Sequence, residues 1–154
     1  MKLILVRHGE KDASGNLTDR GHWQAKQLAK FLSDQAITTV FCSPTSRCEA
    51  TMEEIIRNRE EVADIRISRL VDAKMKKESY SFLNQRVAHF VEDLYLEYMA
   101  DDAIMVISHN LVIRMFVYYL TKVEAQIDEG SVSIFEISEK EAKIIMLNET
   151  GFIK

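Results

Sequence analysis

The sequence predicts an α/β fold, a three-layer α/β/α sandwich with a mostly parallel central sheet. Three observations carry that prediction. Short apolar runs alternate with longer segments whose apolar residues recur at helical spacing, and this βαβα order places helices between successive strands. The opening run, Leu3 to Val6, is aliphatic at every position, as expected of a strand covered on both faces. Breakers are scarce, with one proline and five glycines in 154 residues and neither a repeat nor a low-complexity tract.

The first strand ends at Gly9, just beyond Arg7 and His8. The segment "LTDRGHWQAKQLAKFL" then puts Ala25, Leu28, Ala29 and Leu32 at i, i+3, i+4 and i+7, one helix face, with Thr18 or Asp19 as N-cap. "TTVFCS" follows as a β-branched and aromatic strand. In "SPTSRCEATMEEIIRNRE" the spacing of Cys48, Met52, Ile55 and Ile56 predicts a second helix, capped by Ser43 with Pro44 at its first position. "ADIRISRLV" predicts a third strand. Val87, Phe90, Val91, Leu94 and Tyr98 mark a long amphipathic helix, and "DAIMVIS" is an apolar strand. Within "HNLVIRMFVYYL", Val112, Met115, Phe116 and Tyr119 mark another helix. "SVSIFEIS" and "AKIIMLN" are two strands joined by a turn around Glu139 and Lys140.

Length and charge bound the function. A chain of this size suits one domain spanning residues 1–154. Its formal net charge of -4 at pH 7 gives no general attraction to nucleic acid or to an anionic membrane, so neither is expected as a partner and any phosphate site must be local. No apolar run approaches the ~20 residues of a membrane span, and the opening run is too short for a signal-peptide core, so a cytoplasmic protein is expected. Cys42 and Cys48 suit a reducing compartment rather than a disulfide. They lack the His and Cys neighbours that a zinc site needs, so no zinc site is expected.

The polar residues at the predicted strand ends carry the chemistry. Arg7 and His8 follow the first strand, Arg47 lies just inside the helix after the second, and His109 follows "AIMVIS". Parallel strands bring their C-terminal ends to one edge, where these residues can converge. Two arginines, two histidines and a helix N-terminus suit a doubly charged anion, because the guanidinium fork takes two phosphate oxygens at once and helix-end N–H groups add further donors. Taken singly, each of these histidines reads as a structural residue at a strand end, and Arg47 as a surface arginine. Only their joint occurrence points to a phosphate site.

In order and spacing, "VRHGE", "LTDRGHWQA", "SPTSRCEAT" and "ISHNLVIRMF" resemble the motifs of the histidine phosphatase superfamily, the phosphoglycerate mutase-like proteins, over about Leu3 to Phe116. The resemblance implies a phosphatase that needs no metal and no cofactor, acting on a phosphorylated small molecule or on a phosphoprotein, and the sequence shows no carboxylate cluster that would hold magnesium. His8 would be the nucleophile that forms a phosphohistidine intermediate, and must be neutral at its attacking nitrogen. Arg7, Arg47 and His109 would bind the phosphate oxygens. The family's general acid, where there is one, follows the third strand in a pattern of leucine, any residue and glutamate, often followed by glycine. Here "RLVDAKM" offers Asp72, with Asp in place of Glu and no glycine. Some phosphohistidine phosphatases of the family lack such an acid, since an imidazole leaving group needs less help than an alkoxide.

Two further departures bear on activity. Asn110 stands where the family commonly has glycine after the second histidine, which would add a side chain near the pocket. The segment between Gly9 and Leu17 is short, lacks the tryptophan and asparagine that follow "RHGET" in phosphoglycerate mutases, and leaves little room for lid insertions. An open site admits water and favours hydrolysis over transfer to a second hydroxyl. A phosphoglycerate-type mutase and a phosphate-binding module without turnover are the alternatives. A cysteine nucleophile is excluded on spacing, because cysteine-dependent phosphatases wrap phosphate in a loop one residue longer than the four that separate Cys42 from Arg47. Glu10 is expected to support the site through hydrogen bonds, while His22 and His89, on helices away from the strand ends, have no role.

Overall fold

Four buried strands form the centre of the molecule, and their side chains alternate between two apolar layers. The computed structural model describes residues 1–139 and 141–154. In chain order the elements are β1 (Lys2–Arg7), α1 (Asp19–Phe31), β2 (Thr39–Cys42), α2 (Ser46–Ile56), β3 (Asp64–Ile67), α3 (Tyr80–Glu97), β4 (Ala103–Ser108), α4 (Asn110–Thr121), β5 (Val132–Ile137) and β6 (Ala142–Glu149). The strands make one sheet of order β3-β2-β4-β1-β5-β6. β1 to β4 run parallel, and β5 and β6 continue the sheet antiparallel.

The period of two along β1 sorts its residues between the layers. Leu3 and Leu5 pack with Ile104, Val106 and Phe135 under α3 and α4, against Phe90, Val112 and Phe116. Ile4 and Val6 face the other way, with Met105 and Ile107, against Leu28 of α1 and Cys48 and Ile55 of α2. Helices on both faces of a mostly parallel sheet are the three layers that the alternation predicts. Among the described residues no helix is long and apolar enough to cross a membrane.

α1 begins as expected, with the Thr18 side chain accepting from the Gly21 N–H as N-cap. α2 does not. It starts at Ser46 with Thr45 in the cap position, so Pro44 stands before the helix and Ser43 is free for other partners. The third strand is also shorter than "ADIRISRLV" suggests. It stops at Ile67, and Arg69–Val71 turn as a short 3-10 helix. As an edge strand, β3 leaves Ile65 and Ile67 exposed. Tyr98 lies one residue past α3, as its C-cap. In the turn between β5 and β6, Ser138 N–H donates to Glu141 O, while Lys140 lies outside the described residues.

Gly9 and Gly21 let the end of β1 and the start of α1 touch backbone to backbone. A Cβ on Gly9 would lie 2.5 Å from Gly21 O, and one on Gly21 would lie 2.2 Å from Glu10 O. This close approach fixes the path of the chain just after His8.

Candidate active site

The site is assembled at the C-terminal ends of the parallel strands, where ligands bind in open α/β sheets. β1 delivers Arg7 and His8. The connection from β2 into α2 delivers Ser43 and Arg47, β4 delivers His109 as the N-cap residue of α4, and the turn after β3 delivers Asp72. All five residues singled out in the sequence, Arg7, His8, Arg47, Asp72 and His109, reach this edge.

The partners of each ring fix its tautomer. His8 Nδ1 is 2.8 Å from Gly9 O, which only accepts, so Nδ1 carries the proton and Nε2 keeps a lone pair. That lone pair accepts from Arg47 Nε at 3.2 Å. Arg47 Nη2 meets His109 Nδ1 at 3.2 Å and must be the donor, so the His109 proton is on Nε2. From there it is given to Ser43 Oγ at 2.8 Å, and the Ser43 hydroxyl donates to Asp72 Oδ1 at 2.9 Å. Asp72 Oδ1 also accepts from the Ala73 N–H at 2.7 Å and lies 3.7 Å from His109 Nε2. The two imidazoles stand edge to face, with centroids 5.3 Å apart.

Burial keeps both imidazoles neutral. His8 is lowered to about 4, chiefly by desolvation and then by the cations of Arg47, Arg7 and Lys11, against the opposing pull of its bond to Gly9 O. His109 falls to about 3, again chiefly by desolvation, with His8, Arg47, Arg7 and Arg86 adding to it. Arg7 donates through Nη1 to Ile127 O at 2.7 Å and through Nη2 to Glu129 at 3.3 Å, while its buried Nε has no partner among the described residues. A desolvated cluster holding two guanidiniums and two neutral rings suits an anion that brings its own charge.

Several supporting residues are not evident in the sequence. Arg86, on α3 and almost wholly buried, donates to the carbonyls of Arg69, Leu70, Asp72 and Ala73 and forms an ion pair with Glu78 at 2.9 Å. It thereby holds the turn that carries Asp72. Ser108 Oγ donates to Val71 O at 2.5 Å, tying that turn to β4, and Thr51 Oγ1 accepts from the Gly9 N–H. Glu10 does not support the cluster as expected. Its carboxylate accepts from Thr18 Oγ1 at 2.8 Å and lies 3.8 Å from Arg20, at the entry to α1. Asn110 takes ordinary helical backbone as the first residue of α4 and is exposed, so glycine's freedom is not needed there. His22 sits 3.7 Å from Glu54 and His89 lies exposed on α3. Both cysteines are free and buried, and desolvation pushes both thiols up, Cys48 to about 11. Among the described residues no group of three or more His, Cys, Asp or Glu is placed to hold a metal ion.

The model of the histidine phosphatase superfamily (branch 1) matches residues 3–71 and 57–150. The chain belongs to that superfamily. Similar to this histidine phosphatase is "Phosphoserine phosphatase 1" of Hydrogenobacter thermophilus, 26% identical, with 97% of this chain and 93% of the relative aligned. That alignment runs over 197 positions against 154 residues here, so the relative carries insertions that this chain lacks. Among solved structures, the alpha-ribazole phosphatase of Shigella flexneri superposes with a TM-score of 0.82 at 23% identity, over 97% of this chain and 96% of its own. A phosphoserine phosphatase mutant of Entamoeba histolytica, in complex with phosphoserine, superposes with a TM-score of 0.82 at 17% identity, over 99% of both chains. These likenesses share the fold across nearly the whole length of the histidine phosphatase chain.

Proposed function

We propose that this histidine phosphatase hydrolyses phosphate monoesters, without a metal, through a covalent phosphohistidine on His8. The observation that carries the reading is the fixed tautomer of His8, whose Nδ1 proton is committed to Gly9 O and whose Nε2 lone pair points at Arg47. In the reaction, Nε2 attacks phosphorus while Arg7, Arg47 and His109 hold the non-bridging oxygens. The bond from phosphorus to the ester oxygen breaks in line, and the leaving oxygen takes a proton from Asp72. Water then attacks phosphorus, Asp72 takes a proton from it, and the N–P bond breaks to return the lone pair to His8. A low pKa suits the nucleophile, because a neutral imidazole needs no proton removed before it attacks.

A small phosphorylated alcohol fits better than a phosphohistidine side chain. An alkoxide needs a proton as it leaves, and the turn held by Arg86 sets Asp72 beside the cluster. The relatives named for phosphoserine and alpha-ribazole phosphate support the same class.

The test is phosphate release from p-nitrophenyl phosphate and from phosphoserine, with chelator present throughout. The intact protein and Cys42→Ser turn over, and His8→Ala falls to background. Loss of activity in chelator, or turnover that survives His8→Ala, defeats the mechanism. Binding of phosphate without turnover of any ester identifies a binding module instead.

A further inference from the structure

Ser43 is fully buried between His109 and Asp72, and its hydroxyl has one proton to give. While Arg47 donates to His109 Nδ1, the ring keeps its proton on Nε2 and the Ser43 proton faces Asp72. A phosphate oxygen that takes the place of Arg47 at Nδ1 reverses the demand, because an ionised oxygen only accepts. Nδ1 must then carry a proton. Either the ring becomes a cation or Nε2 gives its own proton up, and burial among Arg7, Arg47 and Arg86 opposes the cation.

We infer that His109, Ser43 and Asp72 form a proton relay through which a monoanionic phosphate ester loads Asp72 as the general acid. The inference rests on the phosphatase reading above. The proton of the phosphate group passes to His109 Nδ1, the Nε2 proton passes to Ser43 Oγ, and the Ser43 proton passes to Asp72 Oδ1. The balance closes without a co-reactant, since the ester goes from monoanion to dianion and Asp72 from carboxylate to acid. His109 stays neutral in its other tautomer, and Ser43 remains a hydroxyl that now donates to Nε2. Phosphate groups lose their second proton near pH ~6, so the monoanion is available around neutrality. Rotation about the Asp72 Cβ–Cγ bond turns the protonated oxygen from Ser43 to the leaving group.

Among the described residues the surroundings leave this as the outlet. Cys48 Sγ lies 3.6 Å from Nε2, and a buried thiol does not take the proton, while Asp72 Oδ1 at 3.7 Å is beyond hydrogen-bond reach of Nε2 and is met through Ser43. Among the described residues, Arg47 and Cys48 from α2, Arg7 at the end of β1, His8 just after it, and Arg86 from α3 are the charged and titratable groups that face His109 beside Asp72, and none of them is a carboxylic acid able to replace Asp72.

Nuclear magnetic resonance of the ring nitrogens in the full chain labelled with [15N]histidine reads the relay directly. Inorganic phosphate is the probe, added near pH ~6, and His109→Gln assigns the signals. Without phosphate His109 carries its proton on Nε2. With phosphate bound the proton is on Nδ1, while His8 keeps Nδ1–H throughout. A His109 that keeps Nε2–H with phosphate bound, or that becomes doubly protonated, overturns the relay. In Ser43→Ala the switch is lost, and turnover of phosphoserine falls at least tenfold more than that of p-nitrophenyl phosphate, whose leaving group needs little protonation. Equal losses on both substrates count against it. The titration of the intact protein needs no variant, and it is independent of turnover. If phosphate release does not depend on His8, the phosphatase reading fails, whereas the tautomer of His109 reports on the relay alone.

Discussion

Arg47 is the residue on which the two halves of the site depend. Its Nε and Nη2 each stand 3.2 Å from an imidazole nitrogen, so one guanidinium spans the lone pairs of His8 and His109. A phosphoryl group attached at His8 Nε2 enters the reach of the same fork, and loss of one such donor costs on the order of 100- to 1000-fold in rate, or about 3–4 kcal/mol. Arg47→Ala is therefore expected to lower kcat/KM for p-nitrophenyl phosphate by about that factor. Arg47→Lys recovers little, because an ammonium cannot grip two oxygens in one plane. The fold should hardly change. The guanidinium donates to neutral rings and is partly exposed, so thermal melts should move by no more than the equivalent of ~1 kcal/mol. The variant also removes one of the cations that hold both histidines low, so the acid limb of its pH profile should move upward. Stopped-time assays of phosphate release across pH, with melts followed by circular dichroism, provide both readings. Retention of more than a tenth of kcat/KM in a folded Arg47→Ala protein would refute the role of the fork.

Acid should unfold the protein earlier than its carboxylates alone predict. His8 and His109 titrate near 4 and 3 in the fold against 6.5 unfolded, so below pH 6.5 the unfolded chain binds protons that the native chain does not. Stability is present above pH 6.5 and falls as pH drops through about 4 toward 3, by several kcal/mol in all. Urea midpoints compared at pH 7 and pH ~5.5, where ordinary carboxylates remain ionised, should show part of the loss; a midpoint that does not move contradicts the buried neutral rings. Arg86→Met is expected to destabilise by about 3–5 kcal/mol, because it strands the Glu78 carboxylate, whose side chain is 1% exposed, and frees four carbonyls. Where the variant still folds, phosphoserine turnover should suffer more than p-nitrophenyl phosphate turnover, and equal effects would detach Arg86 from the Asp72 turn.

What the sequence made legible is what local rules govern. Aliphatic runs without alternation can sit only between two layers, and the helical spacing of Leu28, Cys48, Phe90 and Phe116 chose the faces that pack on them. Strand ends then carried Arg7, His8 and His109 to one edge. The supporting residues escaped because their partners are remote in the chain. Ser43 looks like a helix cap beside a proline, yet its hydroxyl serves Asp72, 29 residues away, and His109, 66 residues away. Arg86 looks like a charge on an amphipathic helix until the turn after β3 is found folded over it. Both are polar groups that enter the interior only because other buried polar groups need them, and such a need is not written in spacing. Glu10 was misplaced for a similar reason, since its position two residues after His8 suggested a contact that the path of the chain denies. Both residues lie past the end of β1, and at Gly9 the chain turns to meet α1, so the carboxylate goes to Thr18 rather than to the rings.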